Sequence, residues 1–415
     1  MTNSLKFFAF ILMLISCVAG KEEPSGPPEL INTTSRPTSR QWKGIRAFQD
    51  STIFFSNDFD GGRLSGLIMD STNHFMAVIT AENYPINPSP WYAFKVWSKT
   101  PKSVRIVLTY TNSRNRYYPK ISTNGQNFSP IDSAKVNGFE RSGSGIDNMP
   151  ESIEIHLELS KDTLWIAAQE LWTSTDIDSW IDDLVQVENI TQTVIGSSVE
   201  GRPVRMLEIG NKQAKRGILV ISRQHPPEVT GFLAMKSFIE TIAGNTDQAI
   251  AFRKNFMTYN IPLMNPDGVD NGHWRHNMGG VDLNRDWQEF NQPETSAVRD
   301  FLNRKKAEGF EFVFASDFHS TWKDIYYPLD STLVDENALF IFDWIEKIAA
   351  RLSVDDPNVA PSVYVKPTMV SRNYFYNNHN IPAIVFELGD NADREFIKKK
   401  GKAAAEELMA IILSK

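Results

Sequence analysis

One cysteine, Cys17, is all that the 415 residues contain, and it lies within the first twenty. A chain otherwise free of thiols can cross an oxidising compartment without risk of mispaired disulfides. No basic run is long enough to track a phosphate backbone, and the net charge is −7, so nucleic acid is not an expected partner. Beyond the N-terminus no apolar run approaches membrane-spanning length. Histidine is scarce, at seven residues against 50 Asp and Glu. With so many carboxylates, one histidine near one glutamate arises by chance, and a site has to be argued from several segments together.

The N-terminus reads as an export signal. In "MTNSLKFFAFILMLISCVAG" Lys6 precedes an apolar run, Phe7 to Ile15, that is too short to span a bilayer and has the length of a signal-peptide core. Cys17 follows directly in "LISC", which resembles a bacterial lipobox with an acylated cysteine. Residues 1–16 are therefore expected to be a signal peptide and Cys17 to carry lipid, the only membrane anchor. The alternative is a plain secretory signal cut near Gly20. Either way the protein is expected to be exported, lipid-anchored at a bacterial cell envelope on its periplasmic or surface side, or else secreted. Residues 17–40, rich in Pro, Ser, Thr and charge from Gly20 onward, read as a disordered tether.

Residues 41–173 show short β-like runs, among them "STIFF", "WYAFKVW", "SVRIVLTYT", "SIEIHLEL" and "TLWIAA", separated by Gly, Pro, Asn and Asp. They predict an antiparallel β-sandwich. His74 and His156 are isolated there and read as structural. From Ser174 the pattern changes. The acidic amphipathic stretch "DIDSWIDDLVQV" predicts a helix. Apolar strands then alternate with helices: "RGILVIS", "NFMTYNIPLM", "FEFVFASDF" and "IPAIVFE" against "EVTGFLAMKSFIETIAG", "ENALFIFDWIEKIAARL" and the C-terminal "AAAEELMAIILSK". Residues 174–415 are thus expected to form an α/β domain, a mostly parallel mixed sheet with helices on both faces.

Ligands of open α/β sheets bind beyond the carboxyl ends of the strands. His225 and Glu228 follow "GILVIS", His319 follows "FASDF", and Glu387 follows "AIVF". Two histidines and a glutamate suit a catalytic zinc with one position left for water, so His225, Glu228 and His319 are the candidate ligands. The His225–Glu228 pair alone fits a metal arm and a helix start equally. Pro227 suits a first helical position, with Glu228 in the first turn.

The block "NPDGVDNGHWRHNMGGVDLNRDW" (Asn265–Trp287) resembles the substrate-binding block of zinc carboxypeptidases related to carboxypeptidase A, and is most similar to the cytosolic carboxypeptidase branch. The resemblance spans Trp180 to Lys415, including "SSVEGRPV". It extends upstream through "FFSNDFDGGRL", "WYAFKVW" and "YYPKISTNGQNFSPI" to the β-sandwich of that branch. It implies one Zn2+ per chain on His225, Glu228 and His319. It implies that Asp282 orients His225 and that Asn284 and Arg285 grip the terminal carboxylate of a peptide or protein substrate. Arg275 would stabilise the oxyanion, and Glu387 would be the general base and acid.

Two positions depart from better-known members: Pro227 stands where arginine is common, and the substrate-covering tyrosine matches Tyr364 only with a one-residue shift. An ungapped match places Arg372 at the base of the pocket for the terminal side chain, which implies a preference for C-terminal Glu or Asp. His273 and His276 read as exposed loop residues, His379 as part of a turn, and "KKKGK" (Lys398–Lys402) as a solvated helix face. The alternatives are a peptidoglycan-peptide carboxypeptidase, a non-catalytic peptide-binding protein on the same fold, and a zinc deacylase.

Overall fold

The computed structural model describes residues 26–140 and 148–415. The signal segment 1–16, Cys17 and the first part of the tether lie outside the described residues. The last part of the expected tether is docked rather than free. Thr33 is fully buried, its carbonyl accepts from Gln292 Nε2 at 2.8 Å, and the Arg36 N–H donates to the Gly279 carbonyl at 2.7 Å. A polar stretch that cannot build a core of its own is ordered here by partners far along the chain.

The first domain holds β1 (Ile45–Phe48), β2 (Ile53–Ser56), β3 (Gly66–Ser71), β4 (His74–Ile79), β5 (Ala93–Ser98), β6 (Lys102–Tyr110), β7 (Lys120–Ser122), β8 (Ser129–Pro130), β9 (Val136–Asn137), β10 (Ser152–Leu159) and β11 (Leu164–Ala167). One sheet runs β1-β2-β5-β11-β7-β8 and the other β3-β4-β6-β10-β9. Side chains alternate as a period of two requires: Phe75, Ala77 and Ile79 of β4 and Val104, Ile106 and Leu108 of β6 are buried. They meet the other sheet, with the Phe55 and Phe75 rings 5.0 Å apart. Pairing is antiparallel except between β4 and β6. The chain crosses to the other sheet through β5 between them, so it re-enters in the same direction.

The second domain opens at helix α1 (Ser174–Leu184), whose capping box joins Thr173 and Asp176. Its seven strands are β12 (Ile190–Ser197), β13 (Pro203–Gly210), β14 (Arg216–Ser222), β15 (Met257–Ile261), β16 (Glu311–Thr321), β17 (Ile325–Pro328) and β18 (Ala383–Gly389), in the order β12-β13-β15-β14-β16-β18-β17. The central four are parallel. The edges are antiparallel.

The remaining helices are α2 (Val229–Ala243), α3 (Asp247–Asn255), α4 (Pro266–Asp270), α5 (Pro293–Ala307), α6 (Phe340–Leu352), α7 (Ser371–His379) and α8 (Arg394–Leu413). Helices α2, α6 and α8 pack with Phe314, Phe318 and Phe386 on one face. Helices α5 and α7 pack with Leu219, Ile221 and Ala315 on the other. Burial on both faces explains the near-continuous apolar strands.

Two local expectations are corrected. His379, read as part of a turn, is the last residue of helix α7, whose run of Asn and aromatic residues has little intrinsic helix propensity. The helix is held by burial of Tyr374 and Phe375 and by a bond from the Ser371 N–H to Asn284 Oδ1 at 2.9 Å. The "KKKGK" run is not wholly solvated either. Lys400 is buried and pairs with Asp324 at 2.7 Å, and a Cβ at Gly401 would stand 2.2 Å from the Ala234 carbonyl oxygen. Only glycine lets α8 approach α2 this closely.

Candidate metal centre and active site

His319 and Glu387 are direct neighbours in register on the parallel strands β16 and β18. His225 and Glu228 stand just beyond β14. All four therefore converge on one edge of the sheet. Helix α2 begins at Val229 with Glu228 as its N-cap, so Pro227 lies before the helix rather than in its first turn. The Glu228 carboxylate makes no cap bond; it faces the two histidines instead. A Cβ at Gly231 would stand 2.3 Å from the His319 carbonyl oxygen, so the glycine lets the start of this helix sit directly on His319.

Glu228 bridges the histidines: Oε1 lies 2.8 Å from His225 Nδ1 and Oε2 lies 2.7 Å from His319 Nδ1, and the two Nδ1 atoms are 3.2 Å apart. All three side chains are buried. The opposite ring nitrogens are held by carboxylates, His225 Nε2 by Asp282 Oδ1 at 2.9 Å and His319 Nε2 by Asp317 Oδ2 at 2.8 Å. An Nε2–H donated to a carboxylate leaves Nδ1 as a lone-pair donor to a metal. Three lone-pair atoms that face one another at this range repel unless a cation or protons lie among them, and the set of two imidazoles and one carboxylate suits zinc.

Burial pushes the Glu228 carboxyl up, but His225 and His319 outweigh it and hold the group well below the usual carboxylate range. Burial pushes His319 down, and Asp317 and Glu228 outweigh that and raise it. Without a cation, a proton on His319 thus takes its place. Among the described residues this is the cluster of His, Cys, Asp and Glu able to hold a metal.

Asp282 does more than orient His225. Its Oδ2 accepts from Arg275 Nε at 2.6 Å and its Oδ1 from the Asn284 N–H at 2.8 Å, which links the metal ligand, the arginine and the 3-10 turn Leu283–Arg285. Asn284 Nδ2 lies 3.5 Å from His319 Nε2. Arg285, half-buried, donates to the Asn284 carbonyl at 2.7 Å. Arg372 is no surface residue. It is buried in the first turn of α7 and donates to the Tyr327 carbonyl at 2.8 Å and to Asn373 Oδ1 at 3.1 Å. Burial pushes it down to about 10, so it stays charged at neutral pH. The half-buried Tyr364 has its backbone tied to this helix, its carbonyl accepting from Asn373 Nδ2 at 3.1 Å.

The family described as zinc carboxypeptidase, peptidase M14, matches residues 177–407. The chain belongs to the zinc carboxypeptidase family. Its curated relatives include cytosolic carboxypeptidase 2 of Danio rerio, 24% identical over 303 residues, and of Homo sapiens, 25% identical over 302 residues. Each match covers 65% of this chain, but only 41% and 33% of those longer proteins. The fold of both domains is shared with a solved metallo-carboxypeptidase from Burkholderia cenocepacia, at a TM-score of 0.70 and 17% identity over 88% of this chain and 99% of that one. A Pseudomonas aeruginosa metallo-carboxypeptidase gives the same TM-score at 19% identity, over 86% of this chain and 98% of that one. The His225–Glu228–His319 set is the zinc site of the family.

Sequence reading passed over three residues. Asp317 was legible, because two residues before His319 on a strand is the same face. Arg116 comes from the sandwich: it pairs with Asp390 at 2.8 Å and donates to the Ser320 carbonyl at 3.0 Å, one residue from the ligand His319. Glu82, also from the sandwich, binds the loop of Arg275. Neither of these two carries a local signal. His273 and His276, expected to be exposed, are buried against that same contact.

Proposed function

We propose that this zinc carboxypeptidase family member removes single amino acids from the carboxyl termini of peptides and prefers Glu or Asp as the last residue. His225, Glu228 and His319 would hold a zinc ion, which when bound would supply a Lewis acid able to acidify water and polarise the scissile carbonyl. Glu387, in register with His319, takes the proton from water and returns it to the leaving nitrogen. Burial, and then the Glu228 carboxylate, push Glu387 up to about 7, which suits a group that must both accept and give a proton. Arg275 donates to the carbonyl oxygen as charge develops on it. Asn284 and Arg285 bind the free carboxylate, which restricts the reaction to chain ends.

The acidic preference rests on Arg372. It is a buried cation, felt electrostatically by Tyr327, Asp317, Arg285 and Glu387, and no carboxylate forms an ion pair with it among the described residues. A buried charge without a direct ion-pair partner is costly, and an acidic substrate side chain offsets that cost. Arg372→Ala should cut kcat/KM for peptides ending in Glu by about a hundredfold, the scale of a truncated buried charge pair, and leave peptides ending in an apolar residue within about threefold. Competition kinetics on peptides that differ only in the last residue measure this. A variant that still favours acidic ends would sink the assignment.

Export and a lipid anchor are part of the same reading and are supported by Lys6, the apolar run and Cys17. Acyl labelling of the full chain should be lost in Cys17→Ala. Labelling that persists in the variant would exclude this anchor.

A further inference from the structure

Glu82 lies in the loop after β4, in the sandwich, and is fully buried. Its two oxygens accept three consecutive backbone N–H groups of the catalytic domain: Oε2 from Trp274 at 2.7 Å, Oε1 from Arg275 at 2.9 Å and from His276 at 2.7 Å. The neighbouring Asn83 continues the grip. Its Oδ1 lies 2.6 Å from His276 Nδ1, and its Nδ2 donates to the Gly280 carbonyl at 3.1 Å. Trp274, one residue before Arg275, is fully buried within the sandwich core, and its Nε1 donates to the Trp91 carbonyl at 3.2 Å. The backbone on both sides of Arg275 is therefore anchored in the first domain, while the Arg275 side chain points the other way to Asp282 beside the metal ligands.

We propose that Glu82 is a positioning residue: the sandwich sets where Arg275 stands and is thereby a working part of the active site. A carboxylate suits the task because it accepts on every side and offers no proton to clash with three converging N–H groups. Charge-assisted bonds of this kind are roughly twice as strong as neutral ones. A donor that must meet a developing oxyanion is sensitive to small displacement, since about 1 Å can cost on the order of a hundredfold in rate.

The inference rests on the peptidase reading, and its test separates the two. Purified zinc-loaded Glu82→Ala and Glu82→Gln are compared with the wild type and with Arg275→Ala and the double variant Glu82→Ala/Arg275→Ala. Glu82→Ala should lose about tenfold to a hundredfold in kcat, with KM for a free-carboxylate peptide within about twofold and zinc content unchanged. Glu82→Gln keeps one acceptor oxygen and should fall in between. In the Arg275→Ala background the further loss should be less than about threefold, because Glu82 acts through that residue.

Hydrogen exchange at the amides of residues 274–276 reads the same contact without any turnover. It should accelerate in both Glu82 variants, with the rest of the chain unchanged. Wild-type kcat in Glu82→Gln, unchanged exchange at these amides, or an undiminished loss in the Arg275→Ala background would each overturn the proposal. If Glu82→Ala does not fold, Glu82→Gln alone carries the test. A wild-type protein that releases no amino acid would contradict the peptidase reading, and the exchange result would still decide whether Glu82 holds this loop.

Discussion

Glu387→Gln should lower kcat by about a thousandfold or more, with zinc content and peptide binding retained. General acid–base groups contribute on this scale, and here one carboxylate serves both proton transfers. Gln is nearly isosteric and neutral, so β18 and its pairing with His319 should persist. The pH profile gives the sign. The base must be ionised, so kcat/KM falls as pH drops through its pKa. In the protein alone that value is pushed up to about 7 by burial and the Glu228 carboxylate. A bound divalent cation pulls it down, so the acid limb of the zinc enzyme lies at or below about 7. Steady-state kinetics from pH 5 to 9 should show this limb in the wild type. A Glu387→Gln enzyme with a tenth of wild-type kcat would remove Glu387 from the mechanism.

Loss of the metal should be the second large effect, on both activity and stability. His319→Ala should abolish turnover and zinc binding and destabilise the fold by about 3 to 5 kcal/mol, the scale for breaking a buried ion pair, because it strips one of two histidine partners from the buried Glu228 and leaves the buried Asp317 with only the neutral donors Gln224 and Ser371. Chelation of the wild type should lower Tm, since a ligand that binds only the folded state stabilises it. It should not shift Tm in His319→Ala. Zinc binding should release protons and weaken as pH falls, because without a cation the raised His319 holds a proton in its place. Calorimetry with metal titration at several pH values measures each part. A chelator that leaves wild-type Tm unchanged would contradict a buried zinc site.

Much of the site was legible because strand and helix patterns located the sheet edge before any motif was invoked. "GILVIS", "FASDF" and "AIVF" mark three adjacent parallel strands, and the polar residues at their ends converge as register requires. What stayed hidden depended on partners far along the chain. Thr33 and Glu82 find their bonds roughly 190 to 260 positions away, and nothing in "INTTSRP" or "TAENY" announces this. Helix α7 defied local propensity because burial of Tyr374 and Phe375 outweighs it. The start of α2 shifted by a residue or two because Glu228 serves the histidines and not the helix. Functional demand thus overrode local preference at the site itself.

The central claim is that Asn284, Arg285, Arg275 and Glu387 around a zinc ion act on free peptide ends. Its most direct measurement is mass spectrometry of one peptide ending in Glu, offered to the zinc-loaded protein as the free acid and as the C-terminal amide. The account predicts loss of the terminal residue from the acid, no reaction of the amide, and no reaction of either after chelation. Equal cleavage of the amide, cuts within the chain, or release that persists without zinc would contradict it.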